Sequence, residues 1–426
     1  MRRHTLPWAM WGWVVFFYCY QYVTRTTVPG LLTEEIMHRF SLDAASVGTL
    51  ISYYYLAYTI MQIPVGYLLD RYGTRYLSAG ATLLCAVGVA LFALSPNYFL
   101  AAVGRILTGV GAAFAFVATL KIIADWFPAQ RIALLTGLTA TVGAIGPVFV
   151  GQMLGALMGI LSWQEVFCLY SLLGGGLSYG IWRNVRDRRY RTRALSEDIK
   201  IPFRKVLLNK QCWLLAIYTM LLYAPVSAFS DMWGTIFLKK LYHIDSAQAL
   251  FINNILYIGM AIGAPLMARM SDKLQRRKSP LYIGLLGTLI TFTYATFSPL
   301  PIEMMMGMLF FVGLSVNGKV IAFTSALESV PKNLSGSVSG FINMMCMLSG
   351  VILQPLLGFI MTLVWDGQTE NGYPVYSIED YRQGFLIVSG CLFLALCTLP
   401  KVRETFPNPI GGFPNNLGSL QKRVRS

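Results

Sequence analysis

Charge is what this sequence has least of. Only 12% of its 426 residues are Asp, Glu, Lys or Arg, against roughly 25% in an average soluble domain, so the chain cannot present an ordinary aqueous surface. Acids are the scarcer sign, 19 against 34 bases. Histidine is almost missing: His4, His38 and His243 all lie outside the apolar runs, which excludes a histidine proton relay. The cysteines Cys19, Cys85, Cys168, Cys212, Cys346, Cys391 and Cys397 fall in apolar runs or at their ends, with no Cys-x-x-Cys pair. They read as small core residues, not as disulfides or metal ligands, and no cofactor is indicated. What is abundant is hydrophobic: 55% of the residues and a mean hydropathy of +0.57. The chain belongs in lipid.

About twelve apolar runs are long enough to cross a hydrocarbon core, near 8–32, 44–69, 75–95, 98–124, 132–158, 163–182, 211–238, 247–271, 279–298, 301–327, 334–364 and 383–399. Their length and lack of two-residue alternation predict helices, not strands. The first run is too long for a signal-peptide core and has no small-residue cleavage site, so it reads as a retained helix. The net charge of +15 does not imply nucleic acid, because the bases sit in alternate loops. These hold Arg2, Arg3, Arg71, Arg75 and Arg131, the run Arg183 to Lys210, Lys273 to Lys278, Lys332, and a tail with Lys401, Arg403, Lys422, Arg423 and Arg425. The other loops carry chiefly Arg39, Lys239, Lys240 and Arg382. That asymmetry places both termini in the cytoplasm of a bacterial inner (plasma) membrane protein, with anionic lipid headgroups as partners of the basic loops. The stretch 184–210 reads as a solvated basic linker, and Trp365 to Gln383, with Asn371-Gly372-Tyr373-Pro374, as a turn-rich loop on the opposite side.

One loop occurs twice. Gly66-Tyr-Leu-Leu-Asp70-Arg71-Tyr-Gly73-Thr-Arg75 has a weaker copy in Ala268-Arg-Met-Ser-Asp272-Lys273-Leu-Gln-Arg276-Arg277, each closing one apolar run and opening the next. Phe40-Ser-Leu-Asp43 likewise matches Tyr242-His-Ile-Asp245, each aspartate standing where it would cap a helix start. Two matches in register predict an all-α membrane protein of twelve transmembrane helices in two six-helix pseudo-repeats. The divisions are 1–183, the linker 184–210, 211–400 and a tail 401–426. The duplicated loop resembles that of the major facilitator superfamily. The resemblance implies alternating-access transport, with Asp70, Arg71, Arg75, Asp272 and Arg276 as gating residues whose latch must break between conformations.

The polar residues inside the apolar runs are the candidate binding set. Tyr18, Gln21, Tyr22 and Arg25 share one face of the first helix at i, i+3, i+4 and i+7. Tyr223, Ser227 and Asp231 fall at similar spacing in the seventh, Tyr54, Tyr58 and Gln62 in the second, Asn253 and Tyr257 in the eighth, and Asn343 and Gln354 in the eleventh. Arg25, Asp231 and Lys319 are deeper than snorkelling explains. Arg25 and Asp231 suit a salt bridge that would act as a gate. Lys121 is either a further cavity cation or an i, i+4 partner of Asp125. Arg105, in Gly104-Arg105-Ile-Leu-Thr-Gly109-Val-Gly111, resembles the superfamily's fourth-helix pattern and must find a partner or a wet cavity. Gly143-Ala-Ile-Gly146-Pro147 then Gly151 partly matches a glycine-proline motif associated with antiporters. Gly313-Leu-Ser-Val-Asn-Gly318-Lys319-Val320 nearly spells a phosphate loop but lacks the final Ser or Thr and the strand-turn-helix context. The chain therefore reads as a non-enzyme.

An excess of intramembrane cations over one deep acid points to an organic anion. Asp231 also keeps a zwitterion open, so sugar acids, carboxylates, amino acids, short peptides and carboxylate siderophores all fit. Tyr22-Val-Thr-Arg25, Met61-Gln62-Ile63-Pro64-x-Gly66, Leu120-Lys121 and Trp126-Phe127-Pro128 together are similar to the anion:cation symporter group. That resemblance implies sugar-acid-like substrates, protons as coupling ion and a cavity role for Arg25. The group's usual acids are replaced by Thr24, Ala112 and Ala113, which leaves Asp231 as the coupling candidate. The expectation is a monomeric secondary transporter; the alternative is a transporter-like sensor that binds without moving its ligand.

Overall fold

The structure is a computed structural model that describes residues 2–187, 205–331, 334–370 and 373–406. Most of the basic linker (188–204), Lys332, Asn371, Gly372 and the tail from 407 with Lys422, Arg423 and Arg425 lie outside the described residues, as do the side chains of Arg2, Arg3 and His4.

Nearly everything described is helical. In chain order the helices are α1 (Arg2–Phe40), α2 (Ala44–Tyr72), α3 (Thr74–Leu94), α4 (Tyr98–Trp126), α5 (Ala129–Leu157), α6 (Trp163–Asn184), α7 (Lys210–Tyr242), α8 (Ser246–Leu274), α9 (Lys278–Phe297), α10 (Ile302–Glu328), α11 (Ser335–Val364) and α12 (Ile378–Thr398). Among the described residues nine are long and apolar enough to cross a membrane. Short polar side chains set the helix starts. Asp43 and Asp245 accept the amides of Ser46 and Gln248 at 2.8 and 2.9 Å, and Ser162 with Glu165, like Ser377 with Asp380, forms a reciprocal capping box. The first helix outruns its apolar stretch. It stops at Ser41, whose φ of 51° turns the chain left-handed.

The leading helices α1–α6 and the trailing helices α7–α12 pack by the same rules. Contacts of α2 with α4, α3 with α4 and α3 with α6 recur as α8 with α10, α9 with α10 and α9 with α12. Between the two groups α2 runs along α11, α5 along α8 and α1 along α7. At the end opposite the linker this seam is tight. A Cβ on Gly48 would stand 2.6 Å from the carbonyl oxygen of Gln354, and one on Gly358 would collide with the backbone of Ala44, so only glycine lets α2 and α11 approach so closely. Further ties at this end are the Lys239–Glu34 ion pair, the Ala44 amide on the Tyr376 hydroxyl at 3.0 Å, the Gln152 amide on the Ala247 carbonyl at 3.0 Å and His38 against Tyr373. Tyr373 belongs to, and Tyr376 follows, a short antiparallel pair of β1 (Thr369–Glu370) with β2 (Tyr373–Pro374), inside the loop between α11 and α12.

Candidate functional site

Midway along α7 the helix widens. Residues Pro225–Trp233 form a π-helical turn, all of them buried, and the Gly234 amide bonds Phe229 five residues back. Pro225 has no amide to continue the α-helical ladder, and the wider turn frees backbone carbonyls that side chains from other helices then satisfy. Asn253 of α8 donates to Ser230 O at 2.7 Å, and Gln354 of α11 donates to Ser227 O at 2.8 Å. This turn projects Asp231 into the bundle centre.

Asp231 is fully buried and accepts hydrogen bonds from the hydroxyls of Tyr55 on α2 and Tyr257 on α8. Arg25 of α1, 4% exposed, brings Nε to 3.5 Å from the Asp231 carboxylate. Its guanidinium lies 3.9 Å above the Tyr22 ring and donates to the Tyr223 hydroxyl at 3.4 Å. These contacts are long for an arginine. Nε has no hydrogen-bond acceptor although it is buried, so the group keeps donor capacity that the protein does not use. Lys319 of α10 stands over Tyr223, its ammonium 4.3 Å from the ring centroid. Lys319 forms no ion pair with a carboxylate among the described residues. Arg25 and Lys319 thus meet the same tyrosine, one at its hydroxyl and the other at its ring, and of the two it is Arg25 that pairs with Asp231.

The other polar residues of α1 and α2 line up beside this cluster. The Tyr54 hydroxyl donates to Gln21 Oε1 at 2.7 Å, and Gln21 Nε2 donates to the Tyr18 carbonyl at 3.1 Å. Tyr18 packs edge-on to Tyr22, and Tyr58 stacks on Tyr54. Gln62 accepts from Asn343 of α11 at 2.9 Å, joining the two helix groups. Arg105 is buried below, donating to the carbonyls of Thr24 and Ile51 at 3.2 and 3.4 Å. It ties α1 and α2 together one residue from Arg25.

Several expected positions differ. Lys121 is not part of the central cluster: it pairs with Asp70 at the linker end, and the two are 24% and 62% exposed. Asp70, 51 positions away in sequence, reaches this ammonium from α2. The start of α3 is capped from elsewhere in the chain. Asp187, just past α6, takes that role, accepting the amides of Thr74 and Arg75 at 2.6 and 3.1 Å. Arg75 also donates from Nε to the Trp182 carbonyl, while Arg71 donates to Tyr67 on its own helix and lies over the Tyr72 ring. In the second loop Asp272 pairs with Arg277, not with the exposed Arg276, and Arg277 binds Glu328 at 2.8 Å as well. Glu404, beyond α12, accepts the amides of Arg277 and Lys278 at 2.8 and 3.1 Å. Residues 313–320 are a helical stretch interrupted at Val316–Asn317, where Asn317 bonds carbonyls of Met260 and Gly313; they form no phosphate loop.

Tyr55 was not singled out from the sequence. Adjacent residues on a helix point about 100° apart, and the polar spacing Tyr54, Tyr58, Gln62 drew attention to the neighbouring face. Asn254, which donates to the Pro147 carbonyl across the α8–α5 seam at 3.1 Å, was likewise indistinguishable from Asn253. Among the described residues no group of His, Cys, Asp and Glu could hold a metal ion.

A bundle of long apolar helices that buries a charged cluster at its centre defines a multi-pass membrane protein. The chain belongs to the Major Facilitator Superfamily, whose family model matches residues 14–354. It is 24% identical over 392 residues to the probable galactarate/D-glucarate transporter of Escherichia coli, covering 80% of this chain and 84% of that one. It is 23% identical over 424 residues to the lysosomal dipeptide transporter of Danio rerio, covering 93% and 87%. Its fold resembles the crystal structure of a bacterial homolog of the human lysosomal transporter Spinster, solved in an inward-facing and occupied conformation. The TM-score is 0.75 at 17% identity, over 94% of this chain and 98% of that one.

Proposed function

We propose that this protein moves a small organic anion across the membrane by alternating access. Its two six-helix pseudo-repeats, 1–183 and 211–400, would rock about the cluster at Asp231 and Arg25. The observation that carries the reading is the unspent guanidinium of Arg25 beside an uncompensated Lys319, since desolvated cations attract anions strongly. The substrate carboxylate binds between these two cations, over Tyr223. The phenols and amide of Tyr18, Tyr22, Tyr54, Tyr58 and Gln21 offer hydrogen bonds to a polyhydroxylated body, which fits a sugar acid, the cargo in the name of the Escherichia coli relative. The recurring helix pairings support the pseudo-repeat, and the basic loops support cytoplasmic termini in a bacterial inner membrane. With the seam tight at the end opposite the linker, this conformation is then inward-facing. The protein works as a monomer, and Asp231 carries the coupling proton: protonation releases Arg25 to the substrate.

A zwitterion such as a dipeptide is the second reading, favoured by the single acid beside two cations and by the name of the Danio rerio relative. In that case Asp231 takes the substrate ammonium, and its two tyrosine donors must turn away. A thermal-shift screen of purified protein against sugar acids, other carboxylates, amino acids and dipeptides separates the readings, because a ligand of the folded state raises its stability. Sugar acids that stabilise the wild type but not Arg25→Ala support the proposal. Stabilisation by dipeptides alone overturns it in favour of the second reading.

A further inference from the structure

Far from the charged cluster, a cleft of about 710 Å³ opens between the start of α7, the end of α10 and the chain that follows α12. Lys210, Lys401 and Arg403 stand at its rim, and Trp213, Leu214 and Ile217 form its wall. The three apolar residues, at i, i+1 and i+4, share one face of α7. That face leads from the cations toward the middle of the helix.

Two features show that the rim is built and its charge unspent. The Gln211 side chain exchanges two hydrogen bonds of 3.1 Å with the backbone of Arg403, fixing the chain after α12 against α7. The nearby acids are already engaged: Glu328 takes Arg277 and the Thr405 hydroxyl, and Glu404 takes the amides of Arg277 and Lys278. Among the described residues none of the three rim cations forms an ion pair. Beside them Leu208 and Trp213 are 75% and 39% exposed, and the Trp213 indole N–H is held by the Leu207 carbonyl at 2.8 Å. An anchored tryptophan and an exposed leucine next to unpaired lysines are what a membrane–water boundary calls for.

We propose that this cleft binds one anionic phospholipid, its phosphate against Lys210, Lys401 and Arg403 and an acyl chain along Trp213, Leu214 and Ile217. A soluble phosphate would need the cations but not the apolar wall below them. The inference rests on the chain spanning a membrane and not on what it transports.

The test uses full-length protein purified in neutral detergent, with bound lipid counted by native mass spectrometry during titration with phosphatidylglycerol or phosphatidylcholine. Phosphatidylglycerol should be retained at least about 10-fold more tightly, and Lys210→Gln/Lys401→Gln/Arg403→Gln should weaken it on the order of 100-fold. Neutralising the exposed Arg269 and Lys273 of α8, at the same end of the bundle, should leave it unchanged. If the triple variant does not yield monodisperse protein, Lys401→Glu alone should still lower retention severalfold. Equal retention of the two lipids, or wild-type retention in the rim variants, overturns the proposal. So does displacement of the lipid by glycerol 3-phosphate at comparable concentration, which would mark a soluble-anion site.

Discussion

Asp231 and Arg25 are each buried with a partner, yet their situations are unequal. The carboxylate has two phenol donors besides the guanidinium, whereas the guanidinium has one long contact with the carboxylate and one with Tyr223. Removing a donor from a buried charge costs about 1.5–3 kcal/mol, so Tyr55→Phe should lower the unfolding midpoint and weaken proton-dependent accumulation. Near-normal values of both would show that Tyr55 only packs. Asp231→Asn leaves Arg25 buried without a carboxylate, a loss that costs about 3–5 kcal/mol in comparable pairs. A bound anion can fill that place. The variant should therefore show a larger ligand-induced thermal shift than the wild type, and it should exchange substrate while failing to accumulate it. Normal accumulation with unchanged dependence on the pH gradient would remove Asp231 from coupling. Depth in an apolar run was enough to single out Arg25, Asp231 and Lys319 in the sequence. The Arg25–Asp231 pairing was readable as well, but other partners were not: Asp70 as the mate of Lys121, or Tyr55 as the donor to Asp231, depends on which faces of α2 meet α4 and α7.

The elements carry two testable devices. One is the seam of α2 with α11, closed on Gly48 and Gly358. A leucine at Gly48 overfills it, a change that typically costs about 1–3 kcal/mol. It should bias the protein toward the state open at that end, read as faster maleimide labelling of a cysteine placed at Thr235. Unchanged labelling would mean that the seam does not close the pathway. The other is the acid that follows α6 and α12 and accepts the amides at the start of α3 and of α9. Glu404 lies outside the spans and is partly buried. Burial alone would raise its pKa, but the backbone amides of Lys278, Arg277, Phe406 and Thr405 outweigh that and hold it below the usual carboxylate range. A depressed folded pKa gives stability that is fully present above the unfolded value of about 4.3 and is lost as pH falls through the folded value. Glu404→Gln should thus be less stable than wild type at pH 7, the gap narrowing below about pH 4; a gap independent of pH would refute the assignment. Helix existence was legible from hydropathy and the caps from Asp43 and Asp245. The π turn of α7 was not, because Pro225 alone does not reveal that Asn253 and Gln354 wait to satisfy its freed carbonyls.

At the scale of the whole molecule, contacts joining the leading and trailing helices concentrate at the end opposite the linker: the Lys239–Glu34 pair, Ala44 on Tyr376, and Gln152 on Ala247. If opening that end is part of the cycle, a disulfide between cysteines placed at Glu34 and Lys239, in a background without the seven native cysteines, should stop transport until it is reduced. Undiminished transport by fully oxidised protein would contradict a rocking motion there. The duplicated loops made the family recognisable in sequence, whereas the state of closure is a property of packing between distant helices and has no local signature. The most direct test of the central claim is counterflow in proteoliposomes of a labelled sugar acid that binds the purified protein. Wild type should exchange the label down no net gradient. Arg25→Ala, losing about 2–5 kcal/mol of charge-assisted binding, should fall by one and a half decades or more, and Arg25→Lys, which keeps the charge but not the fork, by less. Measurable binding without any counterflow, or near-normal affinity and exchange in Arg25→Ala, would contradict the account.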